Sequence, residues 1–542
     1  MIDIDIVEIV PGGLEDLPEL TALYDEVTEY LESHTNYPGW KKGIYPTGAD
    51  AEIAVAEGTV QIARVDGKIV GTYILNNKIA QGYDTAPWKI DVSPDHVAVL
   101  HTFMVHPIAN GSGLGKLLLS HAKATAIWTG METLRLDVYR GNLPAISLYE
   151  AMGYEYISTV DLGYQDFGLD LFKLYELVLP AQPIPVELTE HLDKIRPLNE
   201  TVMEEAKTRW NHIAKPLHSL GILEDHIVKM AGISESSNVS LEKCGLLALC
   251  SDNGIVEEGV TQTGQEVTAV VAENMTKGES CVCIMAKRSE VDVFPVDMGV
   301  ARDLVSDSVQ PLINRKIAYG TKNFHKEPAI TRDQAVKAIV TGIQLVSDLA
   351  EQGYNLIATG EMGIGNTTTS SAVSSMLLLS APDLLTGRGA GLTDEGLKRK
   401  IAVIKDAMKR YQPQCKDAVD VIACVGGFDL AGLTGVFLGG AIYRIPVIID
   451  GFISATAALT AERIYPGCRD FMLASHISAE PAGSLMLEKL GLEPMIQAHM
   501  CLGEGTGAVA AVPLLRMALD VYQHMSSFQD IKIEEYQPLG GE

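Results

Sequence analysis

The stretch GEMGIGNTTTSSA, residues 360–372, follows the apolar run NLIA and leads into the apolar run SMLLLSA. Glycines between a strand-like run and a helix-like run let backbone N–H groups approach an anionic ligand closely. The loop has no lysine, however, and it carries a carboxylate, Glu361, that would repel a phosphate. The pattern predicts a strand–loop–helix unit of an α/β fold and raises the question of what Glu361 does there.

The same alternation of apolar strands and long helices runs through the later part of the chain. The runs that we interpret as strands include LLALCSD, DVFPVDMG, NLIATGE, VIACVGG and PVIIDG. This alternation is typical of a parallel sheet covered by helices on both faces. The longest apolar region, residues 430–461, is interrupted by Arg444, Pro446 and Asp450. It therefore predicts a buried helix, strand and helix in series and not a membrane span.

The earlier part of the chain predicts a separate domain of mixed strands and helices. We expect strands at residues 3–10, 60–65, 69–76, 97–105 and 133–139, helices at 15–33, 114–130 and 143–153, and closing strands near Tyr154 and Phe172. The segment LPAQPIPVEL, residues 179–188, contains three prolines and reads as a stiff linker. The predicted organisation is a domain at 1–178, the linker, and a larger domain at 189–542.

The composition limits the classes of partner. The chain has 542 residues, more than one hydrophobic core usually holds, and 42 basic residues against 70 acidic ones give a net charge of -28. That charge argues against nucleic acid or an anionic membrane as the main partner. A bound phosphate would have to be held by local backbone N–H groups.

The cysteines and the N-terminus indicate a cytoplasmic protein. All eight cysteines follow residue 240, none forms a CxxC pair, and CVCIMA alternates like one face of a buried strand. Reduced thiols are the simplest interpretation, and no metal is expected because no metal-ligand spacing is present. The acidic, alternating N-terminus predicts a strand and not a signal peptide.

A glycine-rich turn in the first domain suits a pyrophosphate. In HPIANGSGLGKLLLSHA, the glycines Gly111, Gly113 and Gly115 stand between a strand and an amphipathic helix. Their N–H groups can turn toward an anion at the positive end of that helix. An ordinary strand–helix turn accounts for this pattern nearly as well, so the surrounding motifs decide.

With VAVLHTFMVHP before it and LDVYRGNLPAISLYEAMGY after it, this turn makes residues 1–178 resemble a GNAT-type N-acetyltransferase. The resemblance implies acetyl-CoA as co-substrate and Tyr149 as the general acid that protonates the departing thiolate. The implied acetyl-CoA site consists of Val105, Asn110, Gly111, Gly113, Gly115 and Asn142.

One position departs from the GNAT pattern, since Asn110 stands where the family prefers Gln or Arg. The backbone donors of the turn remain. The acceptor amine is not readable from the sequence, although Glu52, Glu57 and Asp91 could serve as bases. The alternative is a GNAT scaffold kept as an interaction module.

The opening loop has an echo in LGEGTGAVAAVPLL, around Glu504. Each loop has Gly-Glu, then small residues, then an apolar segment. A single glutamate there could simply favour a helix N-terminus by its charge. Two such loops in one parallel α/β segment predict a shared site, because ligands bind beyond the carboxyl ends of such strands.

The larger domain carries many motifs in the order of a known family. From about residue 188 to 535 it closely resembles the nicotinate-nucleotide–dimethylbenzimidazole phosphoribosyltransferases of cobalamin nucleotide-loop assembly. The motifs that carry the resemblance are SDNGIVEEGV, VDMGV, GTKNFHKEPAIT, GEMGIGNTT, GRGAGLTDEG, GGFDLAG, PVIIDGFISATAAL, SHISAEPAG and LGEGTGA.

The resemblance implies transfer of phosphoribose from nicotinate mononucleotide to a base nitrogen, with inversion at C1′, release of nicotinate, and a homodimer. It makes Glu504 the base that takes the azole proton. Glu361 would face the positive charge that develops on the ribose, or hold its hydroxyls. The implied substrate-binding residues are Gly363, Ile364, Gly365, Asn366, Thr367, Gly389, Gly391, Lys400, Ser478, Asp252, Thr261 and Gln265.

Departures from the family pattern fall on the base pocket. Leu217 and His218 replace a Pro-Gly pair, and GVTQTGQEVT has Thr263 where an aromatic residue is usual. Loss of an aromatic lid would loosen selection for dimethylbenzimidazole and admit another azole or a purine. Asn253 also stands where the family usually has histidine.

Two other functions stay open on sequence grounds. The chain could be a regulatory protein that binds acetyl-CoA and a nucleotide with little turnover. It could also be an N-acetyltransferase whose large domain is a partner module. The presence of Glu361, Lys400, Ser478 and Glu504 speaks against the first for the larger domain.

Overall fold

A computed structural model describes residues 4–181, 184–305 and 309–536. The chain divides into two compact units. Unit 1 comprises Met1–Pro183 with Leu377–Leu384, and unit 2 comprises Ile184–Met376 with Leu385–Glu542. The first residue of the expected N-terminal strand, Asp3, and the linker residues Gln182 and Pro183 lie outside the described residues.

Unit 1 contains a mixed sheet whose strands are ordered β1-β2-β3-β4-β5-β7-β6. Only the β4–β5 pair is parallel among the described pairs. The strands are β1 (Glu8–Pro11), β2 (Val60–Val65), β3 (Lys68–Asn76), β4 (Val97–Val105), β5 (Thr133–Tyr139), β6 (Glu155–Val160) and β7 (Phe172–Val178).

The helices of unit 1 cover this sheet with apolar faces. They are α1 (Leu17–Ser33), α2 (Gly48–Ala56), α3 (Leu114–Trp128) and α4 (Leu143–Ala151). Leu118 and Leu119 of α3 pack on Leu134 and Leu136 of β5, whereas Leu20 of α1 belongs to a second buried cluster. The predicted elements of this part are therefore confirmed, except that the first strand begins at Glu8, after a short 3₁₀ turn.

The parallel pair in unit 1 is short. Residues Val97–Val99 of β4 pair with Thr133–Arg135 of β5, and within the described chain the ladder goes no further. The register between β3 and β4 shifts opposite Tyr73, and Thr102 has a φ of 44°. A bulge of this kind bends the strand and changes the direction of its side chains. Beyond Val99 and Arg135, the described parts of β4 and β5 are thus not paired with each other.

Unit 2 contains a parallel sheet in the order β10-β9-β8-β11-β12-β13-β14. All of its described pairs are parallel. The strands are β8 (Cys244–Ser251), β9 (Val291–Gly299), β10 (Ile313–Asn314), β11 (Leu356–Met362), β12 (Val447–Ile449), β13 (Met472–His476) and β14 (Pro494–Ile496). The predicted fold class, a mixed α/β part followed by a larger parallel-sheet part, is confirmed.

Helices surround the sheet of unit 2. They are α5 (Thr189–Leu192), α6 (Glu200–His212), α7 (Ile222–Ser234), α8 (Glu266–Thr276), α9 (Cys281–Arg288), α10 (Arg332–Glu351), α11 (Asn366–Leu378), α13 (Asp394–Tyr411), α14 (Ala418–Val425), α15 (Phe428–Tyr443), α16 (Phe452–Ile464), α17 (Gly483–Leu490), α18 (Thr506–His524) and α19 (Phe528–Ile531). The short helix α12 (Pro382–Leu385) lies almost entirely within the Leu377–Leu384 segment of unit 1. Helices α5 to α7 precede the first strand and form the added helical portion.

The long apolar region forms a buried helix, strand and helix, α15, β12 and α16, as predicted. Helices α10 and α15 approach so closely that a Cβ on Gly435 would lie 1.9 Å from the Ile339 carbonyl oxygen. In the described part of the chain, no helix is long and apolar enough to cross a membrane.

Two strand predictions in unit 2 are wrong. CVCIMA forms α9, because Ser280 caps it by accepting the Cys283 N–H at 3.3 Å. VIACVGG ends α14, which Asp417 caps by accepting the Asp420 N–H at 2.9 Å. Both runs are short and apolar, so periodicity alone does not separate a helix from a strand.

Candidate active site

The polar residues of unit 2 gather where the central strands end. Glu361 lies near the end of β11, Asp252 follows β8, Asp450 follows β12, and His476 ends β13. We call residues 360–367 the first glycine loop and residues 503–506 the second glycine loop. The carboxyl edge of a parallel sheet is where ligands bind in such folds.

The two glycine loops are in direct contact. A Cβ on Gly360 would lie 2.4 Å from the Glu504 carbonyl oxygen, and one on Gly503 would lie 2.5 Å from Glu361 Oε1. Side chains at these positions would therefore overlap the opposite loop. The glycines bring the two glutamates together, which is the shared arrangement that the sequence predicts.

Glu504 occupies a left-handed turn. Gly503, Glu504 and Gly505 have φ values of 87°, 60° and 95°, a conformation that is unfavourable for a glutamate. The Glu504 carboxylate accepts the Val282 N–H at 3.3 Å and a hydrogen bond from the Ser280 hydroxyl, at the N-terminus of α9. Burial raises the pKa of Glu504, and these two hydrogen bonds oppose that rise. The side chain remains half-buried, so a substrate can reach it.

Glu361 is more deeply enclosed. Its carboxyl group accepts hydrogen bonds from the Asn366 side chain and the Glu504 N–H. Burial, followed by the charges of Asp429 and Asp450, raises the pKa of Glu361 to about 8. At neutral pH Glu361 is therefore mostly protonated and can donate a hydrogen bond, whereas an ionised carboxylate can only accept.

Lys400 reaches the first glycine loop from α13. Its Nζ donates to Thr367 Oγ1 at 2.9 Å and to the Gly387 carbonyl at 3.1 Å. Burial lowers the pKa of Lys400 to about 8, and the charge of Glu480 opposes that change. The lysine absent from the loop sequence is thus supplied by another segment.

The start of α11 offers N–H groups beside Lys400. The Ile364 N–H donates to Thr268 Oγ1 at 3.0 Å and the Asn366 N–H to the Gly363 carbonyl at 3.0 Å, so these two donors are engaged within the protein. Gly365 has a φ of 94° and precedes the helix. Among the loop residues expected to hold a phosphate, the backbone donors of Gly363, Gly365 and Thr367 fit that role better.

Other expected residues lie around this cluster. A Cβ on Gly389 would lie 2.8 Å from Thr367 Oγ1, and Ser478 Oγ accepts the Glu480 N–H at 3.3 Å. The Gly391 carbonyl accepts a hydrogen bond from the Gln262 side chain. The contacts of the 261–265 segment therefore link it to the 387–391 loop.

Asp252, Thr261 and Gln265 have different surroundings. Asp252 is buried, its Oδ2 accepts the Ala301 N–H at 2.7 Å, and its Oδ1 finds no hydrogen-bond partner within the described residues. Thr261 Oγ1 donates to the Thr263 carbonyl at 2.7 Å, and Gln265 lies at the start of α8. Asp252 is thus enclosed beside the end of β8.

The acetyl-CoA residues expected in unit 1 follow β4. Val105 ends that strand, and Gly111 and Gly113 have φ values of 75° and 95° before α3. Gly115 lies in the first turn of α3, where a Cβ would be 3.1 Å from Leu148 Cδ2. Asn110 is exposed. The glycines thus permit the left-handed turn and the close packing at the helix N-terminus.

Asn142 and Tyr149 belong to α4. Asn142 caps this helix by accepting the Ala145 N–H at 3.4 Å, so its side chain has a structural role. Tyr149 is 6 % exposed, and its ring lies 6.1 Å from that of Phe103 on β4. Burial raises the pKa of Tyr149, which keeps its hydroxyl protonated as a general acid requires.

Known proteins resemble both parts of the chain. Residues 195–533 match the family model described as Phosphoribosyltransferase. A nicotinate-nucleotide–dimethylbenzimidazole phosphoribosyltransferase of Ruminiclostridium cellulolyticum is 47% identical over 350 residues, 65% of this chain and 99% of that protein. The chain belongs to this phosphoribosyltransferase family. The corresponding protein of Acetivibrio thermocellus is 46% identical over 351 residues, 65% of this chain and 99% of its own length.

A solved structure agrees with the family assignment. The crystal structure of CobT from Thermus thermophilus has a TM-score of 0.59 and 35% sequence identity, and covers 62% of this chain and 100% of its own. Residues 20–154 separately match the family model described as Acetyltransferase (GNAT) family. The protein is therefore a phosphoribosyltransferase, an enzyme of glycosyltransferase type, with an acetyltransferase-like module.

Several residues at the phosphoribosyltransferase site were not picked out from the sequence. Asp450 accepts the N–H groups of Gly505, Gly507 and Ala508 at 3.2, 2.7 and 3.1 Å, and so fixes the second glycine loop. Asp429 is buried, and burial raises its pKa to about 6. The available signal was an acid inside an otherwise apolar run, in PVIIDG and GGFDLAG.

Proposed function

We propose that unit 2 transfers phosphoribose from nicotinate mononucleotide to 5,6-dimethylbenzimidazole or a related azole or purine. The products would be α-ribazole 5′-phosphate and nicotinate, for cobalamin nucleotide-loop assembly. The observation that carries this proposal is the half-buried Glu504, whose backbone touches the first glycine loop on which Lys400 converges, and whose carboxyl group is held at the N-terminus of α9.

One base is sufficient for this reaction. Nicotinate leaves from a pyridinium, so its nitrogen is already cationic and needs no general acid. The azole must lose a proton as its other nitrogen attacks C1′. Glu504 takes that proton, because its carboxyl group is accessible and is hydrogen-bonded by donors that favour the ionised form. A well-placed base contributes about 10²–10⁴ in rate.

Glu361 has a different part in this scheme. With a pKa of about 8 it is mostly neutral at pH 7, so it gives little electrostatic stabilisation to a positive ribose. Its carboxyl proton instead suits a hydrogen bond to a ribose hydroxyl. Of the two roles considered for Glu361, binding the ribose hydroxyls is the one we propose.

The 5′-phosphate would lie at the start of α11. Lys400 and the N–H groups of Gly363, Gly365 and Thr367 supply positive charge and donors there, and Ser478 adds a hydroxyl nearby. A net charge of -28 on the whole chain gives no general attraction for an anion, so this local set must suffice.

The base pocket would be permissive. Thr261 and Thr263 form a small polar turn, closed by the Thr261 hydroxyl on the Thr263 carbonyl at 2.7 Å. No aromatic side chain of the 260–265 segment covers the base. Competition between dimethylbenzimidazole, benzimidazole and adenine tests this idea, and a strict preference for dimethylbenzimidazole would contradict it.

A direct assay tests the main proposal. The full chain is incubated with nicotinate mononucleotide and dimethylbenzimidazole, and nicotinate release is followed for the wild type and Glu504→Gln. Failure of the wild type to release nicotinate would refute the proposed reaction. Full activity of the variant would refute the role of Glu504 alone.

We also propose that unit 1 binds acetyl-CoA at the Gly111–Gly113 turn and transfers the acetyl group to an amine, with Tyr149 as general acid. The positive φ angles of the turn, the N-terminus of α3 and the buried, protonated Tyr149 support this activity. Calorimetric titration with acetyl-CoA tests it, and the absence of binding would leave a scaffold. A homodimer is our proposal for the assembly, to be tested by sedimentation.

A further inference from the structure

The ends of β4 and β5 beyond their ladder carry a pair of titratable residues that the scheme above does not use. The ladder between these strands ends at Val99 and Arg135. Two residues further along each strand lie His101 and Asp137, so the same register places them opposite one another. The backbone bulge at Thr102 lies next to His101. At this level the two parallel strands no longer pair.

Asp137 has an incomplete set of partners for a carboxylate. The Tyr83 hydroxyl donates to its Oδ1 at 3.0 Å. Within the described residues, no lysine or arginine side chain forms an ion pair with it, and Arg135 on the same strand is bound instead to Glu176 at 2.9 Å. Asp137 as a whole is partly exposed. Burial raises the pKa of Asp137, and the nearby His101 opposes that rise.

The hydrogen bond of His101 defines its tautomer. Its Nε2 lies 3.1 Å from the Lys78 carbonyl oxygen. A carbonyl only accepts, so Nε2 must carry the proton, which leaves the lone pair of the neutral ring on Nδ1. Burial and the charge of Lys78 lower the pKa of His101, whereas the charge of Asp137 raises it. The net direction is downward, so the ring is neutral at pH 7 and can accept a proton.

Aromatic residues surround this pair. Burial raises the pKa values of Tyr45, Tyr83 and Tyr149, and the charge of Asp137 adds to each rise, which places all three rings near the carboxylate. The Tyr45 hydroxyl bonds to Thr102 Oγ1 at 2.8 Å. A carboxylate among tyrosine rings favours an organic cation, through charge pairing and cation–π attraction. Tyr149 is also the candidate general acid of the proposed acetyl transfer.

We propose that His101 and Asp137 form the acceptor site of unit 1, where Asp137 binds the ammonium group of a primary aliphatic amine and His101 Nδ1 removes its proton. This inference rests on the proposed acetyltransferase activity. The free amine attacks the acetyl carbonyl and forms the C–N bond, and the C–S bond breaks. Tyr149 protonates the departing thiolate. Of the two protons that the nitrogen loses, one restores the Tyr149 hydroxyl and the other passes from His101 to solvent. The products are the N-alkylacetamide and coenzyme A.

The carboxylates considered from the sequence fit this task less well. Glu52 and Asp91 are exposed, and Glu57 is paired with Lys78 at 2.5 Å. None of them is brought to this level of β4 and β5 by the strand register. His101 was not considered, because a single histidine in the strand VAVLHTFMV gives no sign of its partner 36 residues later.

The experiment uses the full chain in two steps. Acetyl-CoA binding is first measured by calorimetry for the wild type, Asp137→Asn, His101→Gln and the control Asp66→Asn, whose side chain is exposed. Coenzyme A release is then followed with n-butylamine and 1,4-diaminobutane as probes. Nicotinate release by unit 2 serves as the measure of intact protein in every variant.

The expected results separate the two roles. Asp137→Asn should raise KM for the amine about 10–100-fold, the loss of one charge-assisted contact, with acetyl-CoA binding unchanged. His101→Gln should lower kcat about 100-fold at pH 7 and recover as the pH approaches the pKa of the free amine, about 10. Asp66→Asn should match the wild type.

Other outcomes would overturn one proposal or the other. Absence of acetyl-CoA binding by the wild type would remove the proposed acetyltransferase function itself. Acetyl-CoA binding without amine-dependent coenzyme A release would remove the acceptor site while leaving the acetyl-CoA site. Equal KM and kcat values in Asp137→Asn and the wild type would also refute the proposed acceptor site.

Discussion

Glu361 and Glu504 each follow a glycine in loops that touch, yet their surroundings differ. Glu361 is 7 % exposed near the end of β11, close to Asp429 and Asp450, and its pKa is raised to about 8. Glu504 is half-buried in a left-handed turn, where the N-terminus of α9 supplies hydrogen bonds to its carboxylate. The same residue type can therefore donate a hydrogen bond in one loop and accept a proton in the other, because burial and neighbouring charge set the protonation state.

The largest expected effect belongs to the second glycine loop. Glu504→Gln should lower kcat for nicotinate release by about 10²–10⁴, because the amide cannot take the azole proton. KM for nicotinate mononucleotide should change little. If Glu361→Gln, measured in parallel, lowers kcat as much as Glu504→Gln does, the proposed difference between the two glutamates is wrong.

A substitution of Lys400 tests whether this residue binds the phosphate at the first glycine loop. Lys400→Met removes the charge but keeps most of the buried side-chain volume, and should raise KM for nicotinate mononucleotide about 10–100-fold. Steady-state kinetics with varied nucleotide measure it, and the KM for dimethylbenzimidazole is the internal control. A fall in kcat with unchanged KM would show that Lys400 does not bind the phosphate.

The free energy of unfolding tests the contact between the two glycine loops. Gly360→Ala places a Cβ 2.4 Å from the Glu504 carbonyl and should lower the free energy of unfolding by about 2 kcal/mol. Gly451→Ala is the matched control, since its Cβ would lie 3.7 Å from Ser478 Oγ, an ordinary contact. Urea unfolding compares them, and equal stabilities would mean that the loops separate without cost.

The smallest effect concerns the charge of Glu361. Glutamine imitates a protonated carboxyl group, so Glu361→Gln should lower kcat/KM at pH 7 by only about five-fold, the worth of one hydrogen bond. Between about pH 4.3 and 8, the unfolded chain loses this proton and the folded protein keeps it, so the stability due to Glu361 falls as the pH rises.

Unfolding at pH 5 and pH 8.5 measures that dependence. The difference in stability between the wild type and Glu361→Gln should shift in favour of the variant at the higher pH. A difference that is independent of pH would show that Glu361 is ionised in the folded protein, and the contrast with Glu504 would then disappear.

Much of the fold could be predicted from the sequence. Alternating apolar runs predicted the parallel sheet, and the breaks at Arg444, Pro446 and Asp450 correctly divided the long apolar region. CVCIMA and VIACVGG were misassigned as strands because each run is too short to show a periodicity. In the structure both runs are helical, and Ser280 and Asp417 cap the two helices. Those caps become visible only once the helix start is known.

The candidate active site was predictable only where the local sequence carries the signal. The repeated Gly-Glu pairs indicated that the two loops meet, and the structure brings them into contact. The protonation state of Glu361 was not accessible, because it depends on Asp429 and Asp450, which other strands and helices bring near it. Likewise, the sequence gives no sign that His101 and Asp137 lie at the same level of two strands.

The hydrogen bonds of Asp450 to the start of α18 have a consequence for the order of assembly. Its carboxylate joins the end of β12 to three backbone amides that follow Glu504. Until the 450 and 505 segments have docked, the turn that holds Glu504 lacks these three hydrogen bonds. A newly made chain therefore completes this part of the site only after the 505 segment has been synthesised.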